Sequence, residues 1–200
     1  MQLLETIRVE NNKFSNLHYH QNRMNNTRME LFNCRKEIDL YSVLKKSSLQ
    51  YDGKIQKCRV EYNKDVRKIE LLPYQLPSIK SLKMIICNDI DYRFKYLNRD
   101  RINELFAQKD EADDIIIIKD GMITDSSTTN LLFFNGKHWV TPTTPLLKGT
   151  QRSFLLEREL ILTADIYPSD IQYFEKVRLI NAMLRFEDEV EVKIDKVYTY

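Results

Sequence analysis

The stretch Met122 to Arg152, MITDSSTTNLLFFNGKHWVTPTTPLLKGTQR, gathers groups that could surround an anion. A carboxylate, Asp125, runs directly into four hydroxyls, Ser126, Ser127, Thr128 and Thr129. An apolar run follows, and then Leu-Lys-Gly-Thr-Gln-Arg, which reads as the start of a helix. Gly149 lacks a Cβ, so the backbone there can approach a ligand closely. Thr150 and Gln151 would present backbone N–H groups at a helix N-terminus, where the peptide dipoles favour a phosphate. The same residues also fit a Ser/Thr-rich surface strand followed by an ordinary helix start. Neither a P-loop nor a Gly-x-Gly-x-x-Gly motif occurs in the sequence.

The elements that must carry these groups can be read from periodicity. LLETIRVENNK alternates and ends in the turn signal Asn11-Asn12. LHYHQNRMNNTRMELF spaces Leu17, His20, Met24, Thr27 and Leu31 as one helix face, and IDLYSVLKKS is a shorter helix with Asp39 near its start. KIQKCRVEY and VRKIELLPY form a hairpin turned at Asn63-Lys64-Asp65. Pro73 and Pro77 break the pattern and mark a linker. Beyond it come the strand LKMIIC, a helix N-capped by Asp100, and a strand DDIIIIKDGMI turned at Asp120-Gly121. A second hairpin follows, turned at Asn135-Gly136, then a helix TQRSFLLERELIL and closing strands KVRLINAML and EVEVKID. No strand-helix-strand repeat is expected. The reading is α+β with mainly antiparallel sheets, a small domain over residues 1–78 and a larger one over 79–200.

Composition bounds the function class. Two hundred residues, 42% of them hydrophobic, can bury a sizeable core. The net charge is +2, from 31 basic and 29 acidic residues, and the longest basic run is Lys45-Lys46. Nucleic acid and membrane surfaces are therefore not expected as partners. No apolar run approaches the ~20 residues of a membrane span, and MQLLETIRVE is too charged for a signal sequence. Cys34, Cys58 and Cys87 form no Cys-x-x-Cys pair and read as reduced thiols, with Cys58 and Cys87 buried. A cytoplasmic protein without a metal site is expected.

Three segments together resemble a known family. ITDSSTTNLLFFNGKHWVTPTTPLLKGTQR is similar to the signature of the pyridoxal-phosphate enzymes of fold type IV. That family holds the branched-chain and D-amino-acid aminotransferases and 4-amino-4-deoxychorismate lyase. FKYLNR resembles its Lys-x-Leu-Asn segment, and LETIRVENNKFSNLHYHQNRM its Glu-x-x-Arg/Lys-Val strand followed by His-x-x-Arg-Leu on a helix. The three stand in the family's order across nearly the whole chain. The resemblance implies a two-domain fold, shortened at the N-terminus relative to family members that carry some tens of residues before this strand. It also implies pyridoxal 5'-phosphate as cofactor and a homodimer acting on a small amino substrate.

What the resemblance implies residue by residue follows the needs of the cofactor. Its aldehyde requires a lysine amine, and Lys95 is the matching lysine. Its ring nitrogen requires a carboxylate, and Asp125 stands where the family usually has glutamate. Its phosphate requires a cation and N–H donors. These are Arg23, of His-Gln-Asn-Arg, with the backbone of Gly149, Thr150 and Gln151. Ser127, Thr128 and Thr129 stand nearest the ring and phosphate by position, and the motif does not choose among them. Thr6 and Asn181 lean toward the lyase. Thr6 matches a Thr-Thr-Ala-Arg-Val strand, and LINAML resembles the lyase's Cys-Asn-Ala-Leu strand, although Asn181 also fits a turn or strand-edge asparagine. Arg59 and Arg67 lie on the predicted hairpin, outside the family's Thr-Arg-Gly context for substrate carboxylates. The expected reaction is cleavage of 4-amino-4-deoxychorismate to 4-aminobenzoate and pyruvate, in folate biosynthesis. An amino-acid aminotransferase is the alternative, and a non-catalytic cofactor-binding remnant a second one.

Overall fold

The computed structural model describes residues 1–47 and 53–199. The chain divides into two compact units. The first is Met1–Leu76 with Phe94–Asn98, and the second is Pro77–Arg93 with Arg99–Tyr200. The expected small domain ended at residue 78 and did not include the short segment that carries Lys95.

The first unit is a four-stranded antiparallel sheet with two helices. Its strands are β1 (Leu3–Glu10), β2 (Lys13–Phe14), β3 (Gln56–Tyr62) and β4 (Val66–Pro73), in the order β2-β1-β3-β4. Its helices are α1 (Leu17–Phe32) and α2 (Leu40–Lys46). Alternation along β1 buries Leu3, Glu5, Ile7 and Val9, as a strand with one covered face requires. Leu3, Ile7 and Val9 pack with Met24, Leu40, Leu44, Cys58, Val60 and Tyr62. Asn11 and Asn12 both take positive φ, the backbone a two-residue hairpin turn needs. The buried residues of α1 are largely polar: His20, Asn25, Thr27 and Arg28 accompany Met24. Arg28 explains part of this, donating to the carbonyls of Lys36 and Lys64 and so tying α1 to the turn between β3 and β4. Asp39 caps α2 by accepting from the Ser42 amide. Pro73 ends β4, an edge strand where a missing N–H is tolerated.

The segment Phe94–Asn98 is fastened to the start of β1. The Leu4 amide donates to the Lys95 carbonyl at 3.0 Å, and the Leu97 amide to that of Gln2 at 2.9 Å. The Lys95 carbonyl is thus tied to the start of β1, and the two bonds flank Tyr96.

The second unit is a nine-stranded mixed sheet. It contains β5 (Leu82–Ile86), α3 (Asp100–Phe106), β6 (Asp114–Lys119), β7 (Met122–Ser126), β8 (Asn130–Phe134) and β9 (Trp139–Pro142). Then come α4 (Thr150–Glu157), β10 (Leu162–Ala164), β11 (Lys176–Ile180), β12 (Glu191–Lys193) and β13 (Val197–Tyr198). The path runs β10-β9-β8-β7-β6-β5-β13, with β11 added to β8 and β12 to β11. The run Ile115–Ile118 is buried throughout, as a strand covered on both faces must be. Antiparallel pairs predominate, but β5 and β6 are parallel around α3, and β9 and β10 are parallel around α4. Two strand-helix-strand connections therefore occur, although no recurring unit of that kind was expected. The cause in the second is that α4 ends at Glu157, before the apolar residues Leu160 and Ile161. Ile161 enters the core with Leu132, Leu155 and Ile180, and the chain then turns into β10 rather than continuing the expected helix. At α3 the cap is Arg99, and Asp100 is the first helical residue rather than the cap. Cys58 and Cys87 are both buried. No helix among the described residues is long and apolar enough to cross a membrane.

Phe133 on β8 is fully buried and packs in the main core with Leu131, Val177 and Leu179. Phe133→Ala is expected to cost about 3–5 kcal/mol of unfolding free energy. Urea denaturation followed by circular dichroism would measure it as a lower midpoint at unchanged slope.

Candidate active site

In the first unit, β1 and α1 bring three ionisable side chains into the interior. His20 donates from Nδ1 to Glu5 Oε2 at 2.6 Å, and Arg23 donates from Nε to Glu5 Oε1 at 2.9 Å and from Nη2 to Oε2. Glu5 and His20 are fully buried, and Arg23 is largely so. Burial alone would raise the Glu5 carboxyl, but the Arg23 guanidinium and the two side-chain hydrogen bonds hold it down at about 2. Burial lowers His20, and its bond to Glu5 does not fully offset that. His20 is therefore neutral, and the charged pair is Glu5 with Arg23. The Lys95 ammonium lies within electrostatic reach and further disfavours a charged His20. So Lys95 and Arg23, two of the residues singled out in the sequence, share one electrostatic neighbourhood within this unit. Glu5 and His20 were not singled out. Their signal was present in the quoted Glu-x-x-Arg and His-x-x-Arg spacings, but a buried pair is visible only once β1 and α1 pack. Thr6 is half-buried and stands opposite Arg59 in the β1–β3 register. Alternation puts it on the other sheet face from Glu5.

In the second unit, Asp125 ends up buried where β7 meets β8, paired with Asn130 in register. Its Oδ1 accepts from Asn130 Nδ2 at 2.8 Å and its Oδ2 from the Leu147 amide at 2.9 Å. Burial pushes its carboxyl from an ordinary 3.8 up to about 7, against these neutral donors and the more remote charge of Arg152. No ion pair to Asp125 occurs among the described residues. A cationic ring nitrogen beside it would supply the positive charge that its own surroundings lack, so this carboxylate fits the cofactor role that the sequence implies.

The hydroxyl run is bonded within the fold. Ser126 Oγ shares a hydrogen with Thr129 Oγ1 at 2.7 Å and accepts from the amides of Thr128 and Thr129. Ser127 bonds the buried Asp114 carboxyl, and Arg99 donates to the Ser127 carbonyl at 2.8 Å. The hydroxyls of Ser127 and Thr129 are therefore used within the fold, while Thr128 is exposed. Asn181 donates to the Thr128 carbonyl at 3.1 Å and accepts from the amides of Met183 and Leu184. Its side chain shapes a turn and steadies the hydroxyl run.

Gly149 precedes α4, and no side chain caps that helix. A Cβ at Gly149 would lie 2.0 Å from Asn130 Oδ1, so the neighbour that glycine admits here is the Asn130 amide rather than a ligand. Thr150, Gln151 and Arg152 are buried in the first turn of α4, where helix amides lack intrahelical acceptors. Arg152 donates to Thr141 Oγ1 and to the Pro142 carbonyl, anchoring the helix start to β9. Asp125, Asn130 and the first turn of α4 thus form one wall, with Asn181 and Ser127–Thr129 on the adjoining turn.

Two substitutions test these charges. Arg23→Ala strands the buried Glu5 carboxylate and is expected to cost about 3–5 kcal/mol, seen in denaturant unfolding. Asp125 has its carboxyl raised in the folded state, so its stabilising effect is full below pH 3.8 and is lost as pH rises through about 7. Asp125→Asn should abolish that decline between those two pH values in a Tm–pH series of the cofactor-free protein. A decline of wild-type size in the variant would show that another group causes it.

The family model for amino-transferase class IV matches residues 72–186. An uncharacterized protein of Haemophilus influenzae is 39% identical over 183 residues, covering 90% of this chain and 97% of that one. The crystal structure of a Haemophilus somnus protein, provisionally named 4-amino-4-deoxychorismate lyase, is 36% identical with a TM-score of 0.87. It covers 92% of this chain and 97% of that one. A Mesorhizobium loti structure, provisionally named an amino-acid aminotransferase, shares the fold at 20% identity and a TM-score of 0.79, covering 96% and 98%.

Proposed function

The chain belongs to the class IV aminotransferase family, a family of pyridoxal-phosphate-dependent enzymes, and from that premise we propose that it is a lyase cleaving 4-amino-4-deoxychorismate to 4-aminobenzoate and pyruvate. The observation that carries the choice of reaction is the 36% identity to the Haemophilus somnus protein provisionally named for that activity. Thr6 and Asn181, whose sequence segments resemble lyase strands, lean the same way; in the structure Asn181 follows the end of β11.

When bound, the cofactor supplies an aldehyde for amine condensation and a ring that takes up electrons from the substrate. Lys95 provides the amine for that aldehyde. Its Nζ, when free, would remove the proton from C4 of the substrate ring and hand a proton to the departing enolpyruvyl group. The backbone bond from the Leu4 amide to the Lys95 carbonyl holds the chain where the stem of that side chain starts. Asp125 would hold the proton on the ring nitrogen. In the first unit Arg23, oriented by its bidentate hold on Glu5, would offer a guanidinium to an anion, and in the second unit the first-turn amides of α4 at Thr150 and Gln151 would offer donors to one. Thr128, exposed on its turn, is the hydroxyl that remains for a ligand. Aromatisation of the product drives the cleavage. The same reading makes the protein a cytoplasmic homodimer in folate biosynthesis.

Incubation with 4-amino-4-deoxychorismate is expected to release 4-aminobenzoate and pyruvate without any keto acid. Lys95→Ala should lower kcat by about 10²–10⁴-fold, the usual scale for losing a proton-transfer group. Conversion of the cofactor to its amine form by L- or D-amino acids, with no 4-aminobenzoate formed, would replace the lyase by an aminotransferase.

A further inference from the structure

We propose that Asn130 is the positioning residue for Asp125, holding its carboxylate and the loop before α4 with a single side-chain amide. The Nδ2 group has two hydrogens, and both are committed: one to Asp125 Oδ1 at 2.8 Å, the other to the Leu147 carbonyl at 2.9 Å. The Leu147 amide returns to Asp125 Oδ2 at 2.9 Å, closing a ring of three residues. Two acceptors facing the same amide end fix which end is nitrogen, so the other end, Oδ1, faces Gly149. There the contact leaves no room for a Cβ, which would sit 2.0 Å away. Asn130 is itself buried, and its backbone forms the register pair with Asp125. Its side chain is thus pinned at its base by the sheet, at one end by two acceptors and at the other by glycine.

The groups that face Asp125 are few. Asn130 comes from β8, the amides of Leu146 and Leu147 from the loop, and the Arg152 charge from α4. All of them favour the ionised form against burial. Asn130 is the side-chain donor in this set, so it is the one whose chemistry a substitution can change. An aspartate in its place would keep the shape but present oxygen to both acceptors.

This inference rests on reading Asp125 as the ring-nitrogen partner, and the two can fail separately. The test is a carbon-13 titration of the aspartate carboxyls in the full chain, with and without pyridoxal phosphate, alongside the pH dependence of kcat. Without cofactor, Asn130→Ala is expected to move the Asp125 titration up by about one to two pH units, the size of a lost hydrogen bond to a charged group. Asn130→Asp should move it at least as far with no void left behind, which keeps the test open if the alanine variant does not fold. Gly149→Ala, by displacing the amide from its other side, should move it in the same direction. In the loaded enzyme the acid limb of kcat should shift upward by the same amount while KM stays near its parent value. An Asp125 titration unchanged in Asn130→Ala and Asn130→Asp overturns the positioning role, whatever the effect on Tm. Full cofactor retention and parent kcat in Asp125→Asn overturns the cofactor role on which the inference rests.

Discussion

The second unit depends on one contact, the pairing of Asp125 with Asn130. It is the register pair between β7 and β8, and so the place where β5, β6 and β7 are joined to β8, β9 and β11. The other neighbouring strands of this sheet share from two backbone pairs, between β8 and β9, to five, between β8 and β11. Here a side-chain amide bonded to a carboxylate reinforces a short backbone junction. The junction could have been apolar, since buried ionisable groups are costly unless satisfied. A buried carboxylate with only neutral hydrogen-bond partners is what the role proposed for Asp125 requires.

The first unit solves a related problem in another way. Glu5 lies in its core, yet it stays ionised because Arg23 and His20 bond both its oxygens. Such a buried pair adds little net stability compared with an apolar core, and breaking it is expensive. Its return is geometric. A guanidinium held at two points by a carboxylate that is itself fixed in a strand has little freedom left, and Lys95 sits within reach of the same charges. In the second unit the ring of Asp125, Asn130 and Leu147 gives the same kind of rigidity with neutral donors.

Much of this was legible in the sequence, for reasons that can be named. The hairpins turned at Asn11-Asn12 and Asp120-Gly121 were readable because those residue types take positive φ. The helix Leu17–Phe32 and the break after β4 followed from periodicity and proline. Lys95, Arg23 and Asp125 came from motif order, which carries no distances. The sequence did not reveal that α4 stops at Glu157, because Leu160 and Ile161 continue the helical pattern and only the core they enter decides otherwise. The roles of Ser127, Thr129 and Gly149 were also hidden. A hydroxyl that bonds Asp114 or Ser126 reads the same as one facing a ligand, and a glycine beside Asn130 reads the same as one beside a phosphate.

Asparagine has a role in this chain that glycine usually takes. There are only four glycines, and Asn11, Asn12, Asn16 and Asn33 all hold the left-handed backbone in the first unit. Two form the hairpin turn and two flank α1 at its ends. A glycine would adopt these angles without strain, but it would also give the unfolded chain many more conformations to lose. Asparagine accepts a small local strain and keeps the unfolded ensemble narrower. The consequence lies outside the native contacts: part of the first unit's stability is set by how little freedom its denatured chain has at four bends.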